Sequence, residues 1–285
     1  MSVVYEDSKG DTATGVSAYQ NLNFKNVKII TTTLSGVTLA IAPLAEKDKV
    51  ILFNIGSASP KISNAGDYTF RHNLLPQEEI EFLANYLYTH GYKEIALITV
   101  NAEAGISYRD YFIKKYEKLG GEIIADEFHE YGATDYRNIL TKIKDKNPKA
   151  ILAIDYPNEL ALVLKQAEEL SVKTQWFSVY DKEISSFLEL AGNTSEGLIY
   201  SHFLKESSRF IDPYAALAYD SILVIAEAMS NCENPEDTLC VKDELYKIKD
   251  FQGATGKITF DNNGDTHKEI IIKTVKNGQF VPYAN

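Results

Sequence analysis

Short apolar runs in this chain alternate with longer segments of helical period, and that alternation constrains it to parallel sheets joined by crossover helices. Strands are predicted at Val3–Tyr5, Val27–Ile30, Val50–Ile55, Ile95–Val100, Ile123–Phe128, Ala150–Asp155, Gln175–Val179 and Leu198–His202. Two more follow at Lys257–Phe260 and Glu269–Val275. A helix is predicted from Pro76 to His90, where Ile80, Leu83 and Leu87 share a face and Gly91 supplies the stop. Another runs from about Ile106 to Leu119, ending at Gly120-Gly121. A third begins near Thr134-Asp135, a fourth carries Pro157 in its first turn, and the longest starts at Asp212-Pro213. The predicted class is α/β, with two doubly wound parallel-sheet lobes. From Ile95 to His202 the alternation is regular enough for a lobe by itself, whereas Val3 to Arg71 supplies only three strands. The helix after Asp212 is therefore expected to pack on the thinner part. This divides the chain into a first lobe of residues 1–75 plus 204–265 and a second of 76–203 plus 266–285.

The formal charge of −11 works against a nucleic-acid backbone, which is bound by neutralising phosphates with Lys and Arg. The densest basic cluster, Lys142 to Lys149, is broken by Asp145. No window approaches the roughly 18 apolar residues of a membrane span, so direct membrane insertion is not expected. Cys232 and Cys240 flank a segment with Asn234 and Pro235, a turn that would let the two sulfurs meet. They are either a short disulfide loop or two unrelated thiols; a metal site is disfavoured, with no His or further Cys nearby.

Catalytic motifs are sparse. His72, His90, His129, His202 and His267 are scattered without HxH or HExxH spacing and read as surface or structural residues. No GxGxxG, GxxxxGK[ST] or GxSxG occurs, so neither a cofactor nor an enzymatic activity is expected. What remains is a pair of small-residue turns after strands. Gly56, Ser57 and Ala58 follow Val50–Ile55, and Thr31 to Gly36 follows Val27–Ile30 and includes the hydroxyl of Ser35. Such turns expose backbone N–H groups that bind anions, at the strand ends where ligands of open parallel sheets sit. The alternative is that both are turn residues and nothing more.

The run LSGVTLAIAPLAEKDKVILFNIGSASPKISNAGDYTFRHN resembles the periplasmic leucine/isoleucine/valine-binding proteins, the amino-acid receptors of ABC importers. Ser35, the turn Gly56 to Pro60, and Phe70-Arg71 carry the match. It continues through YKEIALITVNAEAGISYRDYF, the stretch from Thr134 to Ser178, and GATGKITFDNNGD, and so covers nearly the whole chain. The resemblance implies a periplasmic binding protein of type I, with crossing hinge segments and a ligand clamped between the lobes. It also implies a membrane permease as partner and a periplasmic or extracellular location. Carried over by position, a ligand carboxylate would meet Ser35 and the backbone at Gly56 and Ala58, beside Ser57. Tyr156, next to Asp155, matches a cleft tyrosine of the second lobe, and Ala104 falls where some members place another aromatic, before Gly105.

Three departures stand out. Ala58 replaces a threonine that helps hold the amino acid, and Tyr180 takes the place of the acid that pairs with the ligand ammonium, with Asp181 next door. The ligand therefore either lacks an ammonium, or Asp181 or Asp155 supplies the carboxylate. The family's first strand and helix, ahead of the position of Val3, have no counterpart, and no leader precedes Val3. The expected function is an extracytoplasmic solute-binding protein for an amino acid or related small carboxylate. The alternative is a ligand-sensing receptor domain of the same fold.

Overall fold

The computed structural model describes residues 2–203 and 212–283. The chain falls into two compact units. One runs to Leu75 and resumes at Tyr214–Lys268; the other begins at Pro76 and takes up the chain again at Glu269.

The first unit opens with helix α1 (Thr12–Phe24), capped by Asp11, whose carboxylate accepts the Thr14 N–H at 2.8 Å. Strands β1 (Ile29–Thr32), β2 (Ile51–Asn54) and β3 (Thr69–Arg71) form a parallel sheet in the order β1-β2-β3. Helix α2 (Ser35–Asp48) connects β1 to β2. Tyr19 and Leu22 from α1 pack with Ile41, Ala42 and Ala45 from α2 against Ile30 and Leu52 of the sheet, which is the hydrophobic reason for the layer.

The expected strand Val3–Tyr5 does not form, and the segment pairs with nothing among the described residues. Val3 is 62% and Tyr5 87% exposed. A β-rich composition makes a strand only where a partner strand receives its backbone groups.

The second unit is built on a seven-stranded sheet. Its parallel members are β4 (Glu94–Val100), β5 (Glu122–His129), β6 (Ala150–Ile154), β7 (Gln175–Ser178) and β8 (Ile199–His202). Between them run α3 (Pro76–Thr89), α4 (Glu103–Lys118), α5 (Arg137–Lys146), α6 (Pro157–Glu169) and α7 (Ser185–Ala191) in chain order, α3 leading into β4. The sheet is mixed, not wholly parallel: β11 (Ile271–Lys276) pairs antiparallel with β8, and β12 (Gln279–Pro282) antiparallel with β11. A two-residue turn, Asn277-Gly278, joins β11 to β12, and a hairpin of that kind can only be antiparallel. Leu140 and Ile143 of α5 and Leu160, Val163, Leu164 and Ala167 of α6 bury against Ile98, Ile151 and Ala153.

The chain's last passage to the second unit comes at Glu269, not after Asp265. Residues 264 to 266 are laced to β3: Arg71 N–H donates to the Gly264 carbonyl (2.8 Å) and Thr266 N–H to the Arg71 carbonyl (3.1 Å). That lacing keeps the following residues with the first unit.

Helix α8 (Pro213–Ser230) begins at the expected proline and is followed by α9 (Thr238–Lys247), β9 (Phe251–Gly253) and β10 (Gly256–Ile258). No helix among the described residues is long and apolar enough to cross a membrane. Cys232 and Cys240 form a disulfide that ties the end of α8 to α9. Closing so short a loop restricts the unfolded chain by about 2–3 kcal/mol. Replacing both cysteines with alanine should therefore lower unfolding stability by about that amount without changing the far-ultraviolet spectrum, as chemical denaturation would show. A double variant as stable as the native chain would mean that the bridge does not form in solution.

Candidate functional site

The sequence-derived turns of the first unit are organised by one buried side chain. Asn54, at the end of β2, turns its amide nitrogen toward Thr38 Oγ1 (2.9 Å) and Ser57 Oγ. Its carbonyl oxygen accepts the N–H groups of Ser57 (2.9 Å) and Gly56 (3.3 Å). Ser35 Oγ accepts the N–H groups of Ala58 and Ser59, both at 3.1 Å. The backbone donors expected to face an anion at Gly56 to Ala58 are thus bonded within the turn. The hydroxyl proton of Ser35 is not: its oxygen already accepts twice, and the group has one proton left to donate.

Ser35 is also the first residue of α2, whose N-cap, Leu34, contributes no side-chain cap. Hydroxyl proton and helix N-terminus together make the anion-directed end of this turn. Arg71, fully buried, fixes the turn's far side by donating to the Ser59 carbonyl (3.0 Å) and Ser63 Oγ (2.6 Å) while paired with Asp265 (2.7 Å). A Cβ at Gly56 would lie 3.0 Å from the Thr33 carbonyl oxygen, so a larger residue there would press on that backbone.

In the second unit, charged side chains gather at the carboxyl ends of β5, β6 and β7. Asp155 follows β6 and is buried; Oδ1 accepts the Tyr156 N–H (2.9 Å), and Oδ2 lies 2.9 Å from His129 Nε2 at the end of β5. The other ring nitrogen of His129 lies 3.0 Å from the Glu130 carbonyl oxygen. With an acceptor at each nitrogen, only the doubly protonated imidazolium satisfies both. Burial opposes that charge, but the Asp155 carboxylate outweighs it and holds the ring's pKa above its usual 6.5.

Asp181 follows β7 and bonds the Nζ of Lys182, which also donates to the Asp155 carbonyl (2.7 Å). Burial lifts Asp181 above the usual 3.8, with Lys182 pulling the other way. Tyr156, half-buried at the start of α6, has its hydroxyl pKa pushed up to about 12 by burial and then by the Asp181 charge.

Asp155, Tyr156 and Asp181 are thus brought together electrostatically. Ala104 lies half-buried in the first turn of α4. The neighbouring Gly105 has a packing reason, because a Cβ there would come within 2.3 Å of the Val100 carbonyl oxygen. Tyr180 is 3% exposed; its N–H donates to Glu79 (2.9 Å), its carbonyl faces His202 Nδ1 (3.2 Å), and its ring leans on Phe203.

Glu79, Lys182, Glu183 and Lys273 were not singled out from the sequence. Only Lys182 and Glu183 had a local signal, standing directly after Asp181. Glu79 is lifted to about 8 by burial, and so is protonated at neutral pH. No group of three or more His, Cys, Asp or Glu side chains among the described residues is placed to hold a metal ion. A groove of about 170 Å³ lies in the first unit beside α1, with Glu6, Tyr19 and Ile30 in its wall together with Thr31 to Leu34 of the turn that leads to Ser35.

Because the folded state raises the His129 pKa, the ion pair's contribution is complete below pH 6.5 and fades as pH climbs through the raised value. Titration of the His129 ring followed by NMR should give a pKa above 6.5 in the native chain and at or below it in Asp155→Asn. A native value at or below 6.5 would show that the pair is not ionic.

The profile of the family described as periplasmic binding protein matches residues 2–208. Among curated relatives, the leucine-, isoleucine-, valine-, threonine- and alanine-binding protein of Pseudomonas aeruginosa is 21% identical over 92% of this chain and 75% of its own length. The mouse gamma-aminobutyric acid type B receptor subunit 1 is 21% identical over 98% of the chain, but the chain spans only 35% of that receptor's length. Among solved structures, the leucine-binding protein of Thermotoga maritima superposes with a TM-score of 0.91 at 24% identity, over 98% of this chain and 85% of that one. An ABC-transporter solute-binding protein of R. palustris in complex with benzoate gives 0.89 at 13% identity, over 99% and 84%. With more than half of its length matched by the profile and the type I fold on the page, the chain belongs to the periplasmic binding protein family.

Proposed function

We propose that this chain is the extracytoplasmic solute-binding protein of an ABC importer, taking an amino acid or related small carboxylate. Its partner is the importer's membrane permease, and its role is binding without turnover. The observation that carries the reading is the Ser35 hydroxyl at the uncapped start of α2: two amide N–H groups occupy its lone pairs, which aims its proton away from the turn. A neutral donor at a helix N-terminus suits a carboxylate and needs no arginine. Gly56, Ser57 and Ala58 support that donor through their own hydrogen bonds. Ala104, Asp155, Tyr156, Tyr180 and Asp181 are the proposed ligand residues of the second unit.

The relatives support this chemistry: the P. aeruginosa protein is named for amino acids, and the R. palustris protein holds benzoate. The Cys232–Cys240 bridge fits an oxidising periplasmic or extracellular location. A second reading, a ligand-sensing receptor domain, is favoured by the alignment with the receptor subunit over 98% of the chain. Co-purification with a permease would select the first reading, and fusion to a signalling segment the second.

Native mass spectrometry of the purified chain should reveal a retained carboxylate, and calorimetry with that compound should show Ser35→Ala binding about ten- to hundredfold more weakly. This is the consequence of losing a hydrogen bond to a charged group, about 1.5–3 kcal/mol. Undiminished affinity in Ser35→Ala would remove the first unit's turn from the ligand site.

A further inference from the structure

We infer that the solute is a carboxylate without an ammonium group, because Lys182 already stands as internal counter-ion to Asp181. The inference rests on the solute-binding reading above and narrows its substrate class. Holding an ammonium out of water is costly without a carboxylate to pair with it, and each buried acid among the described residues already meets a protein donor; Glu79 Oε2 has no hydrogen-bond partner, but it belongs to a carboxyl that burial keeps protonated.

Asp181, its side chain 10% exposed, is bonded to the Nζ of Lys182, whose side chain is wholly buried and also donates to the Asp155 carbonyl at 2.7 Å. Asp155 spends both oxygens, on the Tyr156 N–H and on His129, each at 2.9 Å. Glu183 takes Lys273 at 2.5 Å and the Tyr200 hydroxyl at 2.8 Å. Glu79 accepts from the Tyr180 N–H and the Ser201 hydroxyl. In the first unit, Asp265 holds Arg71, and Asp220 accepts the Thr255 hydroxyl at 2.6 Å and N–H at 2.8 Å.

Glu159 is the remaining candidate. It lies in the first turn of α6, where helix N–H groups favour a negative charge, accepts the Gly132 N–H at 3.3 Å, and adds its field to that of Asp155 on the His129 imidazolium. Its charge is supported without a ligand cation.

An incoming ammonium would have to displace Lys182 or share Asp181 with it. Displacement strands a lysine ammonium in a wholly buried position; sharing sets two like charges side by side where screening is weak. A carboxylate with an apolar or hydroxylated remainder meets neither obstacle.

The test is calorimetry on the full chain with matched pairs: L-leucine against 4-methylpentanoate, L-phenylalanine against 3-phenylpropanoate, and 4-aminobutanoate against butanoate, with benzoate as an ammonium-free control. The expected result is that in every pair that binds, the ammonium-free member binds about tenfold or more tightly than its partner. Lys182→Met, which frees Asp181, should then shift the ratio toward the amino acid by about tenfold or more. Equal affinities, or tighter binding of the amino acid, would overturn the inference, and loss of that amino-acid binding in Glu159→Gln would assign the ammonium to Glu159 instead. The native-chain comparison decides even where Lys182→Met does not fold. If no carboxylate of either kind binds, the solute-binding reading itself fails and takes this inference with it. That outcome is distinct from binding with the wrong preference.

Discussion

Charge withdrawn from water must be matched by opposite charge or by hydrogen bonds, and the second unit obeys that constraint pair by pair. Lys182 faces Asp181 and His129 faces Asp155 at or near the carboxyl ends of parallel strands, and Glu183, just beyond, faces Lys273 of the antiparallel β11. These strand ends are where the fold offers a ligand its closest approach to the backbone. They are also the costliest place to leave an ion unpaired, because apolar strands such as Ala150–Ile154 wall off solvent directly behind them. The side chains that could greet a solute are therefore the ones whose charges must first be settled among themselves.

The first unit solves the same problem without ions at its turn. Asn54, Thr38, Ser57 and Ser35 form a neutral circuit in which carbonyl and hydroxyl oxygens accept the turn's N–H groups. Neutral hydrogen bonds carry less desolvation cost than ions do, so small side chains suffice and the backbone can come close. The one permanent charge that positions this turn, on Arg71, lies behind it and is neutralised by Asp265.

Much of the fold was legible because periodicity reports burial directly. The helix beginning at Pro157 and the strand Ala150–Asp155 appear within one residue of where the apolar pattern puts them. What failed depended on partners. Val3–Tyr5 has strand composition and no neighbouring strand; Gln279–Pro282 has a neighbour, through a two-residue turn, and no strong composition of its own. Helix α1 has no counterpart among the predicted elements although Asp11 is a proper N-cap. At the site, Asp155 and Asp181 were legible as acids near strand ends, but whether they were free was not. His129 meets Asp155 across 26 positions of sequence, a pairing that register between β5, β4 and β6 creates and local spacing cannot reveal.

The Asp181–Lys182 pair gains its meaning from how firmly its loop is held. Tyr180 is pinned through its N–H by Glu79 and through its carbonyl by His202, and Glu183 is pinned by Lys273 and Tyr200. Two residues of alternating attachment therefore bracket the pair on either side, and the anchors come from α3, β8 and β11. For Lys182 to swing outward, the loop between these anchors would have to turn, and a buried neutral Glu79 and a buried ion pair would lose partners together. A loop fixed on both flanks turns a neighbouring lysine from a surface cation into a built-in occupant. The charges at these strand ends are thus matched within the protein itself, residue against residue.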